Sequence, residues 1–254
     1  RYGYEEYNAS PLERAELYES KTSEEIVNEQ TYTFTDRGER QVTLRPEMTP
    51  TLARMGAPKR SEVPLPLRWF AIPNVFRYER PQRGRLREHY QLNVDLVGVK
   101  DAKAAGEIVV VAHALLRAFG ATNEDFVIRI NSRSLLDSAC DVSGLKADAK
   151  KAYLRLLDKK EKLSTAEFEA ARGAITSVDP LALIEQNDPR IQNEKNALTA
   201  LIEAFTARGM DNVLFDPTVV RGFDYYTGMV FEIYDTDTAN PRSLFGGGRF
   251  DGLV

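Results

Sequence analysis

LRWFAIPNVFRYE (67–79) and HYQLNVDLVG (89–98), joined by the arginine-rich tip RPQRGRLRE (80–88), read as one antiparallel hairpin. The outgoing arm ends on Arg77 and Glu79, and the tip carries Arg80, Arg83, Arg85 and Arg87 around the turn residue Gly84. Alternation along the returning arm puts Tyr90, Leu92, Val94 and Leu96 on one face and Gln91, Asn93 and Asp95 on the other. A sheet packed on its core through the apolar face would present an amide and a carboxylate together on its open face. Arg77 should lie near them on the neighbouring strand. Such a layout suits a small zwitterion beside a phosphate, because arginine grips phosphate oxygens with a planar fork of donors. Taken alone, the pattern also describes a solvated face on an edge hairpin.

A chain of 254 residues can bury a full core and suggests one large domain, or one with an insertion. Its 43% hydrophobic and 28% charged residues are ordinary for a globular protein. No apolar run approaches the ~18 residues of a membrane span, and no signal-peptide pattern opens the chain. A single cysteine, Cys140, excludes an intramolecular disulfide, fits a reducing compartment and reads as a small packed residue. His89 and His113 with one distant cysteine do not make a zinc site, so no metal ligands are assigned. The net charge of -4 argues against indiscriminate nucleic-acid binding. Local potential decides phosphate contacts, however, and the basic tip stands against a glutamate-rich beginning, so nucleic acid is expected on one side only.

Upstream of the hairpin, Tyr2, Tyr4 and Tyr7 read as part of a strand, and Pro11 opens a short helical stretch through LERAELYES (12–20). Ser23 looks like an N-cap for EEIVNEQ (24–30). TYTFTD (31–36) and RQVTLR (40–45) form a hairpin around Asp36 to Glu39. In LRPEMTPTLARM (44–55), Pro46 interrupts the strand, Thr49 can cap a helix and Pro50 takes an early helical position. Glu47 and Thr49 thus sit at a strand-to-helix corner, which is also where ordinary helix-start chemistry places acids and hydroxyls.

Downstream, Asp101 caps a helix over about 102–119, buried along Ile108, Val109, Ala112, Leu115, Leu116 and Phe119 and stopped by Gly120. FVIRIN (126–131) is a strand. From about Leu135 to Asn212, alanine, lysine, glutamate and leucine form short helical patterns, with a capping box at Ser164 and Glu167 and a helix start at Asp179-Pro180. Strands resume in VLFDPTVVRGFDYYTGMVFEIYD (213–235), and the glycine run of SLFGGGRFDGLV (243–254) suits either a close ligand approach or a sharp turn. The predicted fold class is α+β, an antiparallel sheet flanked by helices with a helical insertion. Its parts are expected at 1–134, 135–215 and 216–254.

FRYERPQRGRLREHYQ (76–91) resembles motif 2 of the class II aminoacyl-tRNA synthetases, in detail that of the histidyl-tRNA synthetase family. TLRPEMTPTLARM (43–55) looks like that family's amino-acid-binding loop, VVRGFDYYTGMVFE (219–232) and GGGRFDGLV (246–254) are similar to its two histidine-specific signatures, and GYEEYNASPLE (3–13) resembles the end of motif 1. The resemblance implies a histidine–tRNA ligase that makes histidyl-adenylate from L-histidine and ATP, with Mg2+ accompanying the ATP, and passes the acyl group to tRNA(His). It implies catalytic roles for Arg77 and Arg221, on either side of the α-phosphate. Histidine contacts are implied at Glu47, Met48, Thr49, Arg77, Gln91, Asp95, Arg221, Tyr225 and Tyr226. Arg77, Glu79 and Arg85 are implied for ATP, and Arg80 and Arg83 for the tRNA acceptor end. A cytoplasmic homodimer built through the region of Pro11, with no membrane partner, is likewise implied. By the family's pattern, motif 3 and an anticodon-binding domain would follow Val254, so the chain is expected to be a catalytic-domain fragment with weakened ATP binding. The alternative is a non-enzymatic, synthetase-like regulatory subunit of ATP phosphoribosyltransferase, which would sense histidine without charging tRNA. A synthetase-like tRNA sensor within a larger regulator is a third reading. The arginine-rich tip has no purpose in a histidine sensor, which favours the ligase.

Overall fold

The computed structural model describes residues 2–19, 30–59, 63–79, 86–220, 226–237, 239–240 and 242–252. The first part of the chain holds strands β1 (Glu5–Glu6) and β2 (Leu12–Arg14), helix α1 (Glu16–Glu19), strands β3 (Tyr32–Thr35) and β4 (Gln41–Leu44), and helix α2 (Thr49–Gly56). Strands β5 (Leu67–Ala71), β6 (Asn74–Phe76), β7 (Glu88–Tyr90) and β8 (Asn93–Val97) follow. The chain divides into two compact units after Ala104, in the first turn of helix α3 (Ala102–Ala118). The second unit contains β9 (Phe126–Ser132), α4 (Arg133–Val142), α5 (Ala147–Asp158), α6 (Thr165–Ile175), α7 (Pro180–Glu185) and α8 (Gln192–Thr206), then β10 (Val213–Phe215), β11 (Met229–Asp235) and β12 (Ser243–Gly248). No helix among the described residues is long and apolar enough to cross a membrane.

In the first unit, the central hairpin keeps one register along its length. Leu67 opposes Val97 and Ala71 opposes Asn93 in β5–β8; Asn74 opposes Tyr90 and Phe76 opposes Glu88 in β6–β7. Backbone bonds from Gln91 N–H to the Pro73 carbonyl (3.0 Å) and from Arg77 N–H to the Arg87 carbonyl (2.9 Å) carry that register across and beyond the gap. Pro73 has no N–H to give, so it interrupts the ladder without shifting it. The register therefore assigns Trp69, Ala71, Arg77, Gln91, Asn93 and Asp95 to one face. β1 adds to β5 in parallel, with Glu5 beside Trp69.

Which face is covered differs from the sequence reading. Tyr7, Met48, Leu52 and Ala71 are buried together with Trp69 packed against them, so the Asp95 face carries this unit's core. Tyr90 is 78% exposed and Leu92 39%. Alternation separates two faces but does not say which one a helix elsewhere in the chain will cover; here α2 supplies Leu52 to the Trp69 side. Leu12–Arg14 is also not helical, because these residues pair with β4 (Leu12 with Leu44, Arg14 with Val42), and only Glu16–Glu19 forms a helical turn. Long-range pairing outweighs local helix propensity there. The expected cap at Ser23 lies outside the described residues.

The second unit is built on the sheet β10-β9-β11-β12, antiparallel except for the β10–β9 pair. Leu136, Leu154, Phe168, Ile184 and Phe205 of the helices share one core with Ile128, Ile130, Phe231 and Ile233 of the strands. Residues 135–215 thus hold five helices, as their pattern suggests, yet their apolar faces are buried with strands on both sides in sequence. The capping box at Ser164 and Glu167 forms, and Asp179 caps α7. Phe119 is 83% exposed, because α3 ends at Ala118 and Gly120 leaves the helix at a positive φ of 95°. Cys140 is fully buried, and burial pushes its thiol up to about 12.

β12 explains the glycine run. Gly246, Gly247 and Gly248 stand opposite Glu232, Phe231 and Val230, in a strand and not in a turn. A Cβ at Gly246 would lie 2.4 Å from the Phe231 carbonyl oxygen, and one at Gly247 would lie 2.9 Å from the Phe231 ring. Gly246→Ala is accordingly expected to cost about 2 kcal/mol of stability through overpacking, read as a lower urea midpoint with an unchanged slope.

Candidate active site

The corner that carries Glu47 and Thr49 is pinned by a buried arginine. Arg45 Nε donates to the Asn74 carbonyl (2.9 Å), Nη1 to the Ala9 carbonyl (2.7 Å) and Nη2 to Asn74 Oδ1 (3.2 Å). One side chain thereby ties the segment after β1, the end of β4 and the start of β6. Backbone bonds reinforce the tie: Arg45 N–H to the Pro11 carbonyl (2.9 Å) and Phe76 N–H to the Arg45 carbonyl (3.0 Å). Helix α2 begins with Thr49 as its first residue and Met48 in the cap position, so Thr49 is not the cap. Its hydroxyl is not spent as an N-cap, and both Glu47 and Thr49 are half-buried. The Met48 side chain is fully buried in the core with Tyr7 and Leu52, where it supports the corner.

Arg77 joins this corner from the hairpin. Its Nε donates to the Pro46 carbonyl at 2.9 Å, one residue from Glu47, and among the described residues its two terminal nitrogens have no partner. The side chain is thus fixed at its neck with the fork left over, the state in which a guanidinium can take a phosphate or carboxylate bidentately. Glu79 follows, its N–H bonded to the Arg77 carbonyl (2.8 Å) and its carbonyl accepting from Arg87 Nε (3.3 Å).

Asp95 stands opposite Trp69 on the covered face and makes no hydrogen bond or ion pair among the described residues. Burial pushes its carboxyl from 3.8 up to about 7, although the residue keeps some contact with solvent. Gln91 and Asn93 share its face, and the Asn93 amide donates to the Gln91 carbonyl at 3.1 Å. The raised value has a consequence for stability. Between about pH 4 and about pH 7 the unfolded chain releases a proton that the folded protein retains, so this position loses stability as pH rises through that window. Asp95→Asn should gain on the parent by on the order of 2 kcal/mol between about pH 4.5 and about pH 8, allowing for partial solvent contact. Denaturant midpoints at the two pH values check the sign.

The second unit brings the two glycine-bearing signatures together. The Tyr226 ring stacks on Phe250 (centroids 4.9 Å apart, 29° between planes) and lies over Gly248, where a Cβ would meet ring carbons at 2.7 Å. Thr227 N–H donates to the Arg249 carbonyl (2.8 Å), and its hydroxyl donates to Asp251 Oδ2 (2.7 Å). Arg249 Nε bonds Asp251 Oδ1 at 2.8 Å; Arg249 and then Thr227 hold the Asp251 carboxyl below the usual carboxylate range. Asn131 was read only as a strand residue. It is fully buried, and its amide donates to the carbonyls of Pro217 (3.1 Å) and Val219 (3.0 Å), which fixes the run-in to position 221. The available signal is an amide near the end of a strand that carries Phe126, Ile128 and Ile130. Arg80, Arg83, Arg85, Arg221 and Tyr225 lie outside the described residues. Among those described, no three His, Cys, Asp or Glu side chains gather where they could hold a metal ion.

The sequence profile of the family described as Histidyl-tRNA synthetase matches residues 1–254. The chain belongs to the histidyl-tRNA synthetase family. Among similar proteins, the histidine–tRNA ligase of Leptospira biflexa is 46% identical over 269 aligned positions, covering 100% of this chain and 61% of that protein. The histidine–tRNA ligase of Haloarcula marismortui is 36% identical, with 62% of it covered. The chain therefore spans about three fifths of the length of these curated relatives. A solved histidine–tRNA ligase subunit from Alicyclobacillus acidocaldarius superposes with a TM-score of 0.78 at 25% identity, covering 99% of this chain and 80% of that one. An ATP phosphoribosyltransferase regulatory subunit/histidyl-tRNA synthetase from Bacillus halodurans gives 0.77 at 26%, covering 99% and 68%. The α+β fold is thus that of histidyl-tRNA synthetases, as the motif resemblance implies.

Proposed function

We propose that the protein containing this chain is a histidine–tRNA ligase. The observation that carries the reading is Arg77: it is anchored beside the Glu47–Thr49 corner with an unspent guanidinium fork. In the activation step, one carboxylate oxygen of L-histidine attacks the α-phosphorus of ATP, the bond to the β-phosphate bridging oxygen breaks, and pyrophosphate leaves with that electron pair. Negative charge builds on the non-bridging α-phosphate oxygens, where a fixed guanidinium is most effective because it needs no reorganisation during reaction. Arg77 serves this role from motif 2, and Arg221 is assigned the second guanidinium by resemblance. Glu47 and Thr49 supply acceptors for the substrate ammonium group, and Gln91 lies near its backbone end. Asp95, with Tyr225 and Tyr226, is assigned to the imidazole. Glu79 and Arg85 are assigned to ATP, which arrives with its own Mg2+. In the second step a ribose hydroxyl of tRNA(His) takes the acyl group and AMP departs; Arg80 and Arg83 are assigned to the acceptor end. A cytoplasmic homodimer through the Pro11 region belongs to the same reading, supported by the exposure of Pro11.

The Bacillus halodurans likeness keeps the regulatory-subunit reading in view, since that protein is described as both a regulatory subunit and a synthetase. Charging of tRNA(His) with labelled histidine by the full-length protein decides between them. Accumulation of histidyl-tRNA is expected. Histidine binding without either adenylate or charged tRNA would overturn the ligase reading in favour of a sensor.

A further inference from the structure

Arg45 is a buried cation that no carboxylate pairs with among the described residues. It is 3% exposed, and burial pulls its pKa down, against smaller opposing effects of Tyr18, Glu13 and Tyr7. Holding a guanidinium there is unfavourable, and an apolar side chain of similar length would fill the space without that cost. Its donors go to main-chain and amide oxygens instead: Nε and Nη2 to Asn74, Nη1 to the Ala9 carbonyl, with Met48 Sδ 4.0 Å from the same Nη1. A planar fork of donors can hold several acceptors of separate segments in one fixed geometry, which no other side chain does as well.

The segments so held are those that carry the candidate groups. Asn74 is gripped twice, through its carbonyl (2.9 Å) and its side-chain oxygen (3.2 Å), and its amide passes the contact on to Glu88 Oε1 at 3.0 Å. Asn74 begins β6 and Glu88 begins β7, so both arms of the hairpin are fastened just before Arg77. The Arg45 carbonyl accepts from Phe76 N–H at 3.0 Å, and the next carbonyl, that of Pro46, accepts from Arg77 Nε at 2.9 Å. Pro46 has no N–H with which to fasten itself. Where its carbonyl lies relative to β6 is therefore set largely by Arg45, and that carbonyl is what fixes the Arg77 guanidinium.

We infer that Arg45 is a positioning residue for amino-acid activation: by clamping Asn74 to the strand-to-helix corner, it sets the Arg77 guanidinium in place beside Glu47 and Thr49. It acts through Arg77, with no contact of its own to the reacting atoms. The inference rests on the reading of Arg77 as the guanidinium at the α-phosphate. Displacing such a group by about 1 Å can cost on the order of 10²-fold in rate, so a buried residue away from the substrates can carry a kinetic effect.

The test is histidine-dependent ATP–pyrophosphate exchange by the full-length protein, measured well below the unfolding midpoint of each variant. Arg45→Met and Arg45→Lys are compared with the parent, and each is repeated in the Arg77→Ala background. Arg45→Met is expected to lower kcat by about 10–10²-fold. Arg45→Lys, with one nitrogen for acceptors that the guanidinium holds with three, should lower it by about tenfold. In the Arg77→Ala background either change should cost less than about threefold, because the group being positioned is gone. Should Arg45→Met fail to fold, Arg45→Lys carries the same comparison. A lower melting temperature with parental kcat would make Arg45 a stability residue alone, and equal losses in both backgrounds would show that it does not act through Arg77; either result overturns the inference while the Arg77 reading stands. If Arg77→Ala exchanges pyrophosphate at the parental rate, the underlying reading fails and the role of Arg45 falls with it.

Discussion

Arg77→Ala is expected to lower the rate of histidine-dependent ATP–pyrophosphate exchange by about 10²–10³, roughly 3–4 kcal/mol of transition-state stabilisation. The expectation follows from how the side chain is held. Its Nε is spent on the Pro46 carbonyl at 2.9 Å, which fixes the guanidinium, and among the described residues its terminal nitrogens have no partner. A preorganised charge acts mainly when negative charge develops, so the loss should fall on kcat more than on either KM. Arg77→Lys separates charge from geometry. Lysine keeps the positive charge but has no planar fork and only one nitrogen to share between Pro46 and the phosphate, so it should recover only a small part of the rate. The fold should survive both changes, since Arg77 is half-buried and Arg45 holds the corner independently. An Arg77→Ala protein that exchanges pyrophosphate at the parent rate would remove Arg77 from the chemistry.

Asp95→Ala is expected to reduce kcat/KM for histidine by about 100-fold, the scale of one charge-assisted hydrogen bond of roughly 2–3 kcal/mol, with the KM for ATP nearly unchanged. Stability should move the opposite way. The Asp95 carboxyl is desolvated and unpaired, so its ionised form works against the fold near neutral pH, and the variant should unfold at a higher temperature at about pH 8. A position that costs stability and carries substrate recognition is the signature of a group retained for binding. Equal losses toward histidine and ATP would point to a distorted sheet and away from an imidazole contact.

Much of this arrangement is legible in the sequence alone. The two arms of the hairpin, the strand-to-helix corner, the capping box at Ser164 and Glu167 and the helix start at Asp179 all follow from local signals that need no partner in space. The α+β class and the family resemblance rest on motifs of the same kind. Other features depend on contacts distant in sequence. Nothing local says that α2 covers the Asp95 side of the hairpin, so Tyr90 and Leu92 read as core and prove exposed. Leu12–Arg14 reads as helix and becomes strand through pairing with β4. Met48 sits between two candidate ligand contacts, yet its side chain turns into the core. The glycine run reads as a turn or ligand cradle; it is a strand whose missing side chains admit the rings of Phe231 and Tyr226.

The most direct measurement is ATP–pyrophosphate exchange by the full-length protein with each of the standard amino acids in turn. Exchange supported by histidine, with the others near background, is the expected result, and it should collapse in Arg77→Ala. A folded protein that binds histidine but gives no histidine-dependent exchange would contradict the assignment of the hairpin and the Pro46–Thr49 corner to amino-acid activation.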